Sequence, residues 1–138
     1  TLDSVTRRNI DPVIGPILFS DTVGFISDLP TQLIESFKAT LDELKSADLL
    51  LHIVDASDND YHQKLLEVDK ILKDLGLENI PTIIVKNKCD LLKTHSSRLF
   101  NPKKEILISA EKNIGIDKLR ENINKKHYRN LFHSMAKL

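Results

Sequence analysis

The chain has 138 residues, the size of one ordinary domain, and two independent domains are not expected. Twenty Lys and Arg balance twenty Asp and Glu, so no net field draws the molecule onto nucleic acid or membrane, and any such binding needs a local patch. Apolar runs such as Leu49-Leu50-Leu51 fall far below the roughly 18 residues of a spanning helix, and the lone Cys89 builds no disulfide framework, so a soluble, cytoplasmic protein without a membrane partner is expected.

No signal peptide opens the chain, and its first residue is Thr1 rather than Met, which reads as a fragment or a trimmed chain. Thr6 to Ile10, before a turn region from Pro12 to Pro16, reads as an antiparallel edge strand. Ile17-Leu18-Phe19 follows as a short apolar run, and Leu33, Phe37, Leu41 and Leu44 then recur at helical spacing. Leu49 to Val54 is a second apolar run, and Leu65, Val68, Ile71, Leu72 and Leu75 mark a second helix that Gly76 stops. Thr82 to Val85 and Glu105 to Ile108 complete a set of four runs expected of strands buried on both faces of a parallel sheet. Ile116, Leu119, Ile123, Tyr128, Leu131, Phe132 and Met135 predict a long terminal helix. Strands alternating with helices predict a layered α/β fold with its ligand site at the carboxyl ends of the strands.

Three motifs fall at those ends. Asp21-Thr22-Val23-Gly24 follows the first apolar run, where Asp21 suits the water-mediated holding of Mg²⁺ and Gly24 permits close approach of a backbone N–H to a terminal phosphate. A polar turn after a strand has the same look. Asn87-Lys88-Cys89-Asp90 follows the Thr82 run and is more informative. An ionised Asp90 accepts two parallel N–H bonds from the N1 and N2 edge of guanine, which adenine lacks, while the Lys88 stem lies along the purine and Asn87 ties neighbouring loops together. Ser109-Ala110 ends the next run, where the Ala110 N–H suits the guanine O6, and Asn113 and Gly115 both tolerate the positive φ needed to turn into the last helix.

Three such sites in this order resemble the translation-factor class of P-loop GTPases. Ser20 to Ile26, Asp28-Leu29-Pro30, Leu33, Phe37, Ala39-Thr40-Leu41 and Ala47 to His52 are similar to the HflX family, as are Thr1-Leu2-Asp3 and Thr6-Arg7-Arg8, which look like the end of its first switch. The resemblance covers nearly the whole chain, is strongest from Leu18 to Ser57 and loosens after Leu92; Ser4, Ser27 and Thr31 depart from the family's usual residues. It implies a P-loop GTPase G domain with GTP or GDP and Mg²⁺ as ligands, Thr1 joining Asp21 on the metal side, and the large ribosomal subunit as partner. The family carries Phe where many GTPases have a catalytic Gln, here Phe25, and a phenyl ring cannot orient water by hydrogen bonding. Packing within a switch loop accounts for Phe25 equally well.

The pattern GxxxxGK(S/T) occurs nowhere in the chain, so residues 1–138 read as a partial G domain: a mostly parallel sheet flanked by helices, with the first strand, P-loop and first helix absent. A non-enzymatic GTPase remnant that binds a partner is the competing class. His52 reads as a packed core histidine, Asp55 as either a second carboxylate near the site or a loop cap, and Cys89 as a small filler. The basic stretch from Lys118 to Lys137 reads as a solvated helix face or a contact to ribosomal RNA.

Overall fold

Thr82-Ile83-Ile84-Val85 is a β-branched run, and such residues fit the pleated surface of a central strand. In the computed structural model, which describes residues 5–21, 43–93 and 105–136, this run lies in β4 (Thr82–Asn87). Before it come β1 (Val5–Asp11), β2 (Gly15–Asp21), a 3₁₀ turn (Glu43–Ser46), β3 (Leu50–Asp55) and helix α1 (Tyr61–Asp74). After it come a second 3₁₀ turn (Cys89–Leu91), β5 (Glu105–Leu107) and helix α2 (Ile116–Ala136). The sheet β3-β4-β5 is parallel, with Leu50 opposite Thr82, Asp55 opposite Asn87 and Leu107 opposite Lys86.

Side chains alternate across that sheet and make two cores. On one face Ile83, Val85, Ile106 and Ile108 pack with Ile116, Leu119 and Ile123 of α2. On the other, Leu50 packs with Val68, Leu72 and Leu77 from α1 and its exit, joined by Leu44 and Ala47. The helix–sheet–helix layering expected from the alternation of elements is therefore present. Val85 has no exposed surface; full burial of a side chain this size stabilises by roughly 1.5–3 kcal/mol.

Gly76 stops α1 as expected. Its φ of +71 lets its N–H reach the Lys73 carbonyl at 2.9 Å while the Leu77 N–H reaches the Leu72 carbonyl at 2.8 Å, a Schellman closure with Leu77 packed back on Leu72.

The first apolar run departs from expectation. Ile17-Leu18-Phe19 lies in β2, but β2 pairs antiparallel with β1 in a separate two-stranded sheet, and Leu18 is 70% exposed. An apolar triplet fits a doubly covered strand, yet a hairpin joined by the tight Asp11–Gly15 turn offers β2 one neighbour among the described residues, so Leu18 and Phe19 stay open to water while Ile17 is partly covered. The Thr6 to Ile10 edge strand is present as part of β1. The helix expected around Leu33 and Phe37 lies outside the described residues.

Candidate functional site

The carboxyl ends of β3, β4 and β5 converge, and backbone bonds fix their spacing before any side chain acts. Asp55 ends β3 directly opposite Asn87 of β4, and the Ala56 N–H donates to the Asn87 carbonyl at 2.8 Å. Past β4 the Cys89 N–H donates to the Ile108 carbonyl at 3.0 Å, so the loop after β4 is tied to the end of β5. Asn87 adds a side-chain link, its Oδ1 accepting the Ala110 N–H at 3.0 Å. The expected loop-tying role of Asn87 has this geometry. The same bond engages the Ala110 N–H assigned from sequence to guanine O6, so a base there would have to share it.

The β5 loop is closed on itself. Ser109 and Ile114 exchange two backbone bonds at 3.0 and 2.9 Å, and the buried Ser109 hydroxyl accepts the Lys112 N–H at 3.1 Å. Asn113 and Gly115 turn the chain at φ +54 and +73, as their types allow. A Cβ on Gly115 would stand 2.3 Å from the Leu107 carbonyl oxygen, so glycine is required there by contact as well as by torsion.

Charge at the site is arranged around Lys88 and Asp90. Lys88 leaves β4 at φ +62, a left-handed conformation unusual for a side chain of its length, and its ammonium donates to Asp55 Oδ2 at 2.6 Å. Asp55 Oδ1 accepts the Ser57 N–H at 2.9 Å and the Ser57 hydroxyl at 2.6 Å. The Lys88 ammonium first and Ser57 second hold the Asp55 carboxyl down at about 2, and the same ion pair raises Lys88. Asp58 is engaged separately by Lys64. Asp90, exposed in the 3₁₀ turn, makes no hydrogen bond or ion pair with another described residue, which leaves both carboxylate oxygens available to a ligand.

Asn87, Lys88, Asp90, Ser109 and Ala110 are thus gathered at one end of the sheet, with Ser109 shaping the loop from inside rather than facing outward. Asp21 ends β2 as an exposed residue opposite Val5. Thr1, Gly24 and Phe25 lie outside the described residues. Cys89 is half-buried beside the linked loops. His52 is half-buried, its Nδ1 lacks a hydrogen-bond partner among the described residues, and burial lowers its pKa, in keeping with a core histidine. Asp55, read from sequence as a site carboxylate or a loop cap, does both, capping its loop through Ser57 and pairing with Lys88. Two features escaped the sequence reading: that pairing with Lys88, and the burial of Lys86 beneath the site with Glu105 and Tyr61. Of these, only the first carried a sequence signal, as a carboxylate directly after a strand.

A parallel sheet between helix layers, with an NKxD loop and a Ser-Ala loop cross-linked at its carboxyl end, defines the G-domain class of nucleotide-binding proteins. Comparison with known proteins agrees. The family of 50S ribosome-binding GTPases matches residues 1–88. The GTPase HflX of Caldanaerobacter subterraneus subsp. tengcongensis is 43% identical over 129 residues, covering 94% of this chain, and that of Escherichia coli is 35% identical over 130 residues, covering 91%. Those alignments span only 29% and 30% of the two relatives. Among solved structures, the SsGBP variant G235S superposes with a TM-score of 0.68 at 25% identity, covering 88% of this chain and 46% of that one. A probable GTP-binding protein, engB, shares the fold with a TM-score of 0.55 over 79% of this chain and 75% of its own. The chain belongs to the 50S ribosome-binding GTPase family, in its HflX branch.

Proposed function

We propose that this chain supplies the guanine-reading side of a GTP-hydrolysing HflX-type protein. The observation that carries the reading is the exposed Asp90 carboxylate, without a partner among the described residues, on a loop held to the Ser109-Ala110 loop by Asn87. Guanine fits that donor set: Asp90 accepts its N1 and N2 hydrogens, and the Lys88 stem covers one purine face. Bound Mg²⁺ would neutralise phosphate charge, with Asp21 and Thr1 on its side and Gly24 at the terminal phosphate. Phe25 provides no hydrogen bond to an attacking water, so turnover at a useful rate needs a group from elsewhere. The family description names the 50S ribosome, which supports the large ribosomal subunit as the partner to supply it or order the site, and a cytoplasmic location goes with that reading. The exposed Lys118, Arg120 and Lys125 of α2 are candidates for ribosomal RNA contact, with a salt-dependent affinity as its signature.

The test is base choice, measured on the longest reading frame that contains these residues. Asp90→Asn replaces an acceptor pair by a mixed donor and acceptor, so affinity for GTP should fall and preference should move toward XTP, by about 10- to 100-fold in the ratio. An unchanged GTP to XTP ratio would remove the guanine-reading assignment.

A further inference from the structure

Lys88 adopts a positive φ of +62, uncommon for a long side chain, and that side chain is half exposed, so little packing restrains its stem. A free lysine in that place would sample many rotamers, and a purine binding against it would have to select one. The structure shows what restrains it. Its ammonium is held by Asp55 Oδ2 from the neighbouring strand, and Asp55 is itself held through Oδ1 by the N–H and hydroxyl of Ser57. The Ala56 N–H bonded to the Asn87 carbonyl locks the two strand ends in register, so the anchor and the anchored residue cannot slide apart. Asp58, whose charge also acts on Lys88, forms its own ion pair with Lys64. An ion pair as exposed as this one adds little to stability, so its consequence lies in the geometry it sets.

We propose that Asp55, fixed by Ser57, is a positioning residue for guanine binding, acting through Lys88 by holding its ammonium so that the alkyl stem is already laid out for the purine face. This rests on the reading of Asn87 to Asp90 as the guanine loop. Asp55 spends its carboxylate on Lys88 and Ser57, so on this proposal it should affect affinity and leave base preference alone. Ordering one rotamer-rich side chain on binding corresponds to about 2- to 12-fold in affinity, and that is the expected loss on removing the anchor.

The experiment is a double-mutant cycle on the longest reading frame containing these residues, with GDP and XDP titrated in Mg²⁺. Asp55→Asn keeps one oxygen for Ser57 and replaces the acceptor facing Lys88, so GDP affinity should fall by about 2- to 12-fold with the GDP to XDP ratio unchanged. In a Lys88→Met background, which keeps the stem and removes the charge, the same change should cost nothing further. Asp55→Glu, which retains the anion, should recover part of the loss. Unchanged affinity in Asp55→Asn, or an equal loss with and without the Lys88 ammonium, overturns the proposal, the second outcome marking a structural role only. Asp90→Asn run alongside separates the two failures: if it leaves the GDP to XDP ratio intact, the guanine-loop reading itself has failed. Should Asp55→Asn not fold, Ser57→Ala loosens the carboxylate without removing it and is run through the same cycle, with the same outcomes deciding.

Discussion

The base-side loops and the β1-β2 hairpin use the same chain in opposite ways. At the base side, three strand ends are joined by backbone bonds, by Asn87 to Ala110 and by Lys88 to Asp55, above a core in which Val85 is fully buried. The hairpin that carries Asp21 has its own register but leaves Ile10 and Leu18 largely exposed, at 69% and 70%. On the proposed reading, base selection rests on local, self-supporting geometry, whereas the Asp21 side lacks an internal scaffold among the described residues. Specificity and phosphate affinity become separable properties, and a chain of this kind should keep the first more readily than the second.

The largest expected effect follows directly. These 138 residues contain no GxxxxGK(S/T) loop, whose N–H groups and lysine supply charge-assisted bonds worth roughly 1.5–3 kcal/mol each. Three such bonds amount to about 4–9 kcal/mol, or on the order of a thousandfold in affinity or more. Isothermal titration of the 138-residue chain with GTP and Mg²⁺ should give millimolar or weaker binding and negligible hydrolysis. Micromolar binding at one site per chain would place phosphate affinity in residues other than that loop.

Next in size is the support beneath the base side. Lys86 is 5% exposed at its side chain, with its ammonium 2.9 Å from Glu105 Oε2, 3.1 Å from the Tyr61 hydroxyl and 4.5 Å above the Tyr61 ring. Lys86→Ala strips the largely covered Glu105 carboxylate of this counter-charge and should destabilise the fold by about 3–5 kcal/mol in urea melts. Replacing both partners, as Lys86→Met with Glu105→Leu, should recover most of that. Burial pulls the Lys86 pKa down, but bonds to Glu105 and Tyr61 outweigh it and leave the ammonium above its ordinary 10.5. A raised folded value means the contribution is full below about 10.5 and is lost as pH rises through the folded value, so the double variant should lose less stability in strong alkali.

A smaller loss tests the β5 loop. Gly115→Ala puts a Cβ against the Leu107 carbonyl at a positive φ, which should cost roughly 1–3 kcal/mol, because the neighbour is backbone and cannot swing aside. It should also disturb the Ser109 to Ile114 closure and weaken guanine binding, whereas the same change at Gly76, whose Cβ position is open, strains the torsion alone.

What could be read from sequence divides along the same line as the structure. The strand at Thr82, the helix from Leu65 to its Gly76 stop, and the terminal helix from Ile116 were legible because each has a local period or a local terminator. The exposure of β2 was not, since Ile17-Leu18-Phe19 has the same pattern whether one edge or both edges are paired. Lys86 was missed because a lysine at the end of an apolar run gives no sign of burial until Glu105 and Tyr61 are known to lie beside it. Asp55 could be read as a loop cap or a site carboxylate, and tertiary pairing with Lys88 makes it both.

The smallest effect concerns how the hairpin is held to the rest. Arg120 of α2 approaches Asp11 at 4.0 Å, the limit of an ion pair, and is itself 56% exposed, whereas the Asp11 carboxylate is buried and accepts the Val13 N–H at 2.8 Å and the Ile14 N–H at 3.2 Å. Two backbone bonds inside a tight turn outweigh one long, solvent-screened charge contact, so Asp11→Ala should disturb the hairpin more than Arg120→Ala. Arg120→Ala should lower Tm by less than about 4 °C. The Val13 N–H is also the foremost cause of the lowered Asp11 pKa, with burial opposing it and the Ile14 N–H, Arg120 and Asn124 adding to the lowering. A lowered folded value means the contribution is present above the ordinary 3.8 and is lost as pH falls through the folded value. Acid melts should therefore keep most of that pH dependence in Arg120→Ala and lose it in Asp11→Ala. The reverse ordering would mean that the hairpin is tethered by the α2 charge rather than closed by its own turn, and that the two regions are coupled more tightly than their separate sheets indicate.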